Sequence, residues 1–120
     1  MKIEELENAP DWLLDAQTEF ADVDIVNGVV HWYDGSWFDG VWEGGTWHYG
    51  FFEGGTWKNG VWHQGTWHQG TWHDGTWFDG YWLDGVWKWG LWHKGYWLNG
   101  KWEGGYKTKL VRSETPPSND

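Results

Sequence analysis

Glycine occupies every fifth position from Gly35 to Gly105 without exception, and an aromatic residue stands two places after each glycine from Gly35 to Gly100. The aromatic is tryptophan in every unit but one, where Phe52 stands, and Trp32 extends the series back by a unit. A fixed period decides architecture ahead of local propensity. A period of five is neither helical nor that of an alternating strand, and suits a few extended residues followed by a tight bend. The residue before each glycine is Asp, Asn, Gln or Gly in most units, and Asx-Gly pairs favour turns because both residues tolerate positive φ. Thr or Val often stands between glycine and tryptophan and favours extended backbone. Each unit therefore reads as a short strand ending in a corner.

Two architectures follow from such units. In the first, an all-β quadrilateral solenoid, four units close a coil of about 20 residues, and side chains stack in columns. In the second, an antiparallel meander of three-residue strands, every Trp lies on one face, leaving a single layer of indoles in water. Similarity at a spacing of four units favours the solenoid: Asp39, Asn59, Asp79 and Asn99 share one column on that spacing, as do Val41 and Val61, and the GSWFDG at Gly35 returns as GTWFDG at Gly75. On the same spacing His48 stacks over His68, His73 over His93, Thr46 over Thr66 and Thr56 over Thr76.

Upstream, Thr18–Asp22, Val23–Asn27 and Gly28–Trp32 also divide into five-residue units, centred on Phe20, Ile25 and Val30. Over residues 18–105 the chain resembles the pentapeptide-repeat family, whose units read Ala-Asp/Asn-Leu-x-x. That resemblance implies a right-handed square β-helix, with each Trp in the inward place of Leu or Phe and each Gly in the small inward place. The chain is also similar to phage and bacterial proteins carrying Gly-x-Trp-x-x tracts, a resemblance that implies no activity. Residues 1–17 read as an acidic helical cap interrupted near Pro10, in which Leu6, Trp12, Leu13 and Leu14 close the first coil. Residues 106–120 read as a strand end and a disordered tail.

The expected core is Trp32, Trp37, Trp42, Trp47, Phe52, Trp57, Trp62, Trp67, Trp72, Trp77, Trp82, Trp87, Trp92, Trp97 and Trp102. Each indole removes roughly 150–250 Å² from water when buried, and without that contribution a chain so rich in glycine struggles to offset its folding entropy. Their N–H groups need acceptors, which corner carbonyls would supply.

Charge is unevenly placed along the chain. Residues 1–34 hold nine acids against Lys2, a net of −8; residues 35–104 hold seven acids and four lysines, a net of −3; and the residues from Gly105 on carry +1. A basic nucleic-acid footprint is absent. No cysteine is present, so disulfides are excluded. An apolar run long enough for a signal peptide or a membrane span is also missing, which sets a cytoplasmic expectation.

His63, His68 and His73 resemble a metal motif, but their spacing sends them to successive faces, so no metal or other cofactor is expected. Glycines on a strict period of five match no phosphate-binding loop, and no catalytic constellation stands out. The expectation is a non-enzymatic structural or protein-interaction solenoid with an unidentified protein partner. An end-to-end homodimer through the C-terminal coil belongs to that reading, because the last coil exposes strand edges. Two alternatives stay open: an aromatic surface for carbohydrate or single-stranded nucleic acid, and an acidic DNA mimic inhibiting a topoisomerase.

Overall fold

The computed structural model describes residues 1–108. From Val41 onward each pentad contributes one two-residue strand made of the residue before the inward position and the inward residue itself, which is Trp except in Phe51–Phe52 and in the last strand, from β3 (Val41–Trp42) to β16 (Tyr106–Lys107). Every pairing between them is parallel, and partners lie three pentads apart: Thr76 faces Val61 on one side and Leu91 on the other. The chain is thus an all-β parallel β-solenoid of about five turns. Its coil has three sides, not the four of the sequence reading. The similarities at four units are not columns; the observed neighbours are Val41 with Thr56, and Thr46 with His31 and Val61.

The corner explains the count. The corner glycines, every fifth residue from Gly35 to Gly105, carry φ between +110° and +130°, a region that L-residues rarely enter. Three such corners close a coil, so each turns the chain by a third of a revolution. Positive φ is only half of the requirement. A Cβ on Gly65 would press into the carbonyl oxygen of Gly50 one coil earlier, and that relation repeats up the stack. The glycines therefore make room first for backbone, and only second for indole: a Cβ on Gly60 would come within 3.2 Å of Trp42 Nε1. The residue before glycine does not share the positive φ. Its side chain instead accepts from the glycine N–H, as Asp39 Oδ1 does from Gly40 and Asn59 Oδ1 from Gly60, both at 2.8 Å. That N–H has no place in the inter-coil ladder, which uses the N–H after glycine and the N–H after Trp: Thr66 N donates to Gly50 O, and His68 N to Phe52 O.

Inside, the fifteen aromatic positions are 0–9% exposed. They form three columns in which successive indoles stack at 4.7–5.0 Å with planes 4–8° apart. Neighbouring columns meet edge to face, as Trp57 meets Trp62 at 5.8 Å and 68°. Five indoles donate to the carbonyl just before the corner glycine of the next coil, among them Trp62 to Asp79 and Trp67 to Asp84 at 3.1 Å, and Trp87 to Gly104 at 3.0 Å. Eight others, including Trp47 and Trp57, have no partner.

The N-terminal end departs from the sequence reading. Residues 18–30 are not solenoid units; the first inward indole is Trp32, where His31–Trp32 already pairs in parallel with Thr46–Trp47. β1 (Gln17–Val26) runs antiparallel to β2 (Val29–Asp39) through the turn at Asn27–Gly28, where φ is 52° and 78°. Two successive positive φ values at Asn-Gly define the tight hairpin turn that matches strand twist. Phe20, expected to point inward, sits at an irregularity in β1 with φ 56° and is 90% exposed. Between a short 3-10 turn (Ile3–Glu5) and β1 lies α1 (Asp11–Leu14), which buries Leu13 and leaves Leu14 exposed. Trp12 closes the bottom of the stack, 5.1 Å from Trp42 and 6.3 Å from Trp37. At the other end Lys107 takes the inward register above Trp92, its ammonium 5.2 Å over the Trp102 ring. The expected disordered tail, from residue 109 on, lies outside the described residues.

Gly65→Ala should cost at least about 2–3 kcal/mol in urea unfolding, because both backbone approach and positive φ oppose it. Gly44→Ala has open space around the new methyl and no positive φ, and should be neutral or stabilising by up to about 1 kcal/mol. Phe52 lies 4.2 Å from Trp67 but 6.0 Å from Trp37. Filling that slack with Phe52→Trp should raise stability by about 0.5–1.5 kcal/mol in the same assay.

Candidate interaction surface

With the aromatic ladder inside, the outer surface is built by the residues on either side of each Trp. Both point outward because side chains alternate along a strand. Three pentads per coil give three faces, and on each face every outward position stacks into a column one strand spacing apart.

The first face carries four of the six histidines, His31, His48, His63 and His93. Tyr33, His48, His63, Phe78 and His93 stand one above the other, with ring centroids 4.6–5.4 Å apart. His48 therefore lies over His63, not under His68. His31 Nδ1 reaches His48 Nε2 at 2.9 Å with the two rings only 22° apart. One nitrogen of this pair donates and the other accepts. Burial, followed by the neighbouring His31 and His63 imidazoles, holds His48 below the ordinary histidine range.

The second face carries Ser36, Phe51, Thr66, Tyr81 and Tyr96 in one column. Phe38, Glu53, His68, Leu83 and Leu98 occupy the other outward column, on the same spacing. His68 Nε2 lies 3.3 Å from Glu53 Oε1, an exposed pair of modest worth. Towards the C-terminal end the face turns apolar: Tyr81 and Tyr96 stack at 5.1 Å, and Leu98 is 62% exposed. The third face holds Val41, Thr56, Thr71, Val86 and Lys101, with His73 between Lys58 and Lys88 in the neighbouring column. Thr56 stacks on Thr71, and His73 and His93 are on different faces. His63, His68 and His73 belong to one coil and point to its three sides. Among the described residues no group of three or more His, Cys, Asp and Glu side chains could hold a metal ion.

Two further features lie at the ends. Trp89, at a corner, packs edge to face on Tyr106 at 5.6 Å, and both are exposed. At the N-terminal end a groove of about 710 Å³ runs between the cap, the hairpin turn and the corner at Gly45, lined by Pro10, Trp12, Ile25 and Val29 with Glu7 and Glu43. Neither feature stood out in the sequence, although Trp12 and Trp89 were visibly off the period. No helix among the described residues is long and apolar enough to cross a membrane. Comparison with known proteins finds no matching family model, no similar curated protein and no similar solved structure.

The histidine pair sets a pH dependence. Unfolded, His48 takes a proton near pH 6.5; folded, it does so at lower pH. The unfolded state binds more protons in between, so this contribution to stability is complete above about pH 6.5 and is lost as pH falls through the folded value. His48→Phe introduces the ring already present at Phe78 in the same column, and should flatten the loss of stability as pH falls below about 6.5 in urea unfolding.

Proposed function

We propose that the chain is a non-enzymatic solenoid serving as a rigid structural and protein-interaction module, a three-cornered variant of the pentapeptide-repeat architecture. The observation that carries this reading is the division of its aromatics. The indoles are spent on the interior, where no ligand can reach them, while the outer faces present side chains at a fixed pitch. The partner surface is the C-terminal half of the second face, where Tyr81, Leu83, Tyr96 and Leu98 form an apolar set. It adjoins the strand edges of β14 (Tyr96–Trp97) and β15 (Lys101–Trp102) in the last coil. Strand edges that are outermost among the described residues, beside apolar side chains, favour association with another protein chain. An end-to-end homodimer through this coil fits the same surface, in a cytoplasmic setting.

Replacing Tyr96 and Leu98 by serine should shift unfolding stability by no more than about 1 kcal/mol, since both are outward. The same change should abolish binding of a partner identified by proximity labelling in the source cell. Saturable binding of a polysaccharide or single-stranded oligonucleotide, lost in that variant, would establish the aromatic-surface alternative. Turnover dependent on one outward residue would overturn the proposal.

A further inference from the structure

The groove at the N-terminal end combines an apolar floor with acidic rims and no cation. Pro10, Trp12, Ile25 and Val29 provide the floor, and Glu7 and Glu43, both exposed, the rims. The segment around it, residues 1–34, carries a net of −8. Two details mark the groove as open to another chain. Gly44 stands where most corners have Asp, Asn or Gln, so the N–H of Gly45 lacks the side-chain acceptor found at Gly35 and Gly40. A Cβ at Gly28 or Gly44 would meet nothing within 4 Å.

The matching chemistry lies at the opposite end of the sequence. Immediately after Thr108 the chain reads Lys109-Leu110-Val111-Arg112, two cations flanking two aliphatic residues. Four coils separate Gly45 from Gly105, a rise of about 19 Å at one strand spacing per coil. Residues 109–112 extend at most about 14 Å beyond Thr108, and Leu110 and Val111 less than that. This segment therefore cannot lie in the groove of its own molecule, but it can enter that of another.

We propose that the chain self-associates head to tail, with Lys109–Arg112 of one copy occupying the Trp12 groove of the next. Leu110 and Val111 cover the Pro10–Trp12–Ile25–Val29 floor, and Lys109 and Arg112 meet Glu7 and Glu43. The backbone of the entering segment supplies an acceptor for Gly45 N–H. The contact is heterologous, so it propagates into open oligomers and does not stop at a dimer. β1 blocks the lower strand edge of the receiving copy, so side chains and the tail carry the contact in place of continued sheet pairing. The proposal rests on the reading of the chain as a protein-interaction module, and names a second copy of the chain as a partner.

The test is sedimentation velocity of the full chain at about 50 and 500 mM NaCl, since attraction between exposed charges is screened by salt. Three proteins are compared: the parent, a groove variant (Glu7→Gln, Glu43→Gln) and a tail variant (Lys109→Glu, Arg112→Glu). Melting temperatures should match, because the groove carboxylates are exposed. The parent should form concentration-dependent oligomers at low salt, and each variant alone should associate at least ten-fold more weakly. Mixing the two variants should restore a complex that stops at one-to-one, because one intact tail then meets one intact groove. A parent that stays monomeric overturns the proposal, as does association that the groove variant leaves untouched, the signature of a head-to-head contact. Failure of the mixture to restore the complex also overturns it. A monomeric protein that still binds another partner through Tyr96 and Leu98 sinks this inference alone; measured turnover would sink the reading beneath it.

Discussion

The structure depends on a match between two spacings. Inter-coil hydrogen bonds fix the rise per coil near the ordinary strand separation of about 4.8 Å, and indoles stacked at that pitch adopt the offset arrangement that aromatic rings prefer over a flat sandwich. The ladder and the ring columns thus repeat together, with Trp57–Trp72 and Trp67–Trp82 both at 4.7 Å. Within each layer three indoles meet edge to face and fill the triangle. Phe52 shows how tightly the two are coupled. Its smaller ring moves towards one neighbour and away from the other, while the backbone pairing of its strand stays intact.

A stack of this kind needs corners that bring backbone against backbone. The glycine series meets that need through positive φ and the missing Cβ together, and the preceding Asp, Asn or Gln closes the one amide that the ladder leaves out. The two ends are managed differently. The lower end is closed by Trp12, Leu13 and the antiparallel β1, which convert an aggregation-prone edge into a hairpin. At the upper end the described residues offer Lys107 over Trp102 and three outermost strands. This polarity, acidic and closed at one end and, among the described residues, edge-bearing at the other, distinguishes the two ends of a body whose sides are so regular.

Much of this was legible in the sequence. The all-β solenoid, the inward indoles and the dispersal of His63, His68 and His73 all follow from the period of five and the chemistry of Gly and Trp, whereas the corner carbonyls expected to accept from the indoles serve five of them and leave eight without a partner. The hairpin was legible too, because Asn27-Gly28 between alternating apolar residues is a strong local signal. The five-residue division of Thr18–Trp32 masked it, since a short apolar pattern admits more than one period. The His31–His48 pair and the groove were not readable. Both join residues whose neighbourhood depends on the number of sides in the coil.

The sequence by itself determined the unit: a short strand, an inward indole and a glycine corner, repeated until a core exists. Only the tertiary structure decided how many units make a turn. A period of five is equally satisfied by three corners or four, and the choice falls to the turn that a glycine at φ near +120° makes and to the fit of three indoles in one layer. Every column on the outer faces follows from that choice, so the outer surface is a property of the closed coil.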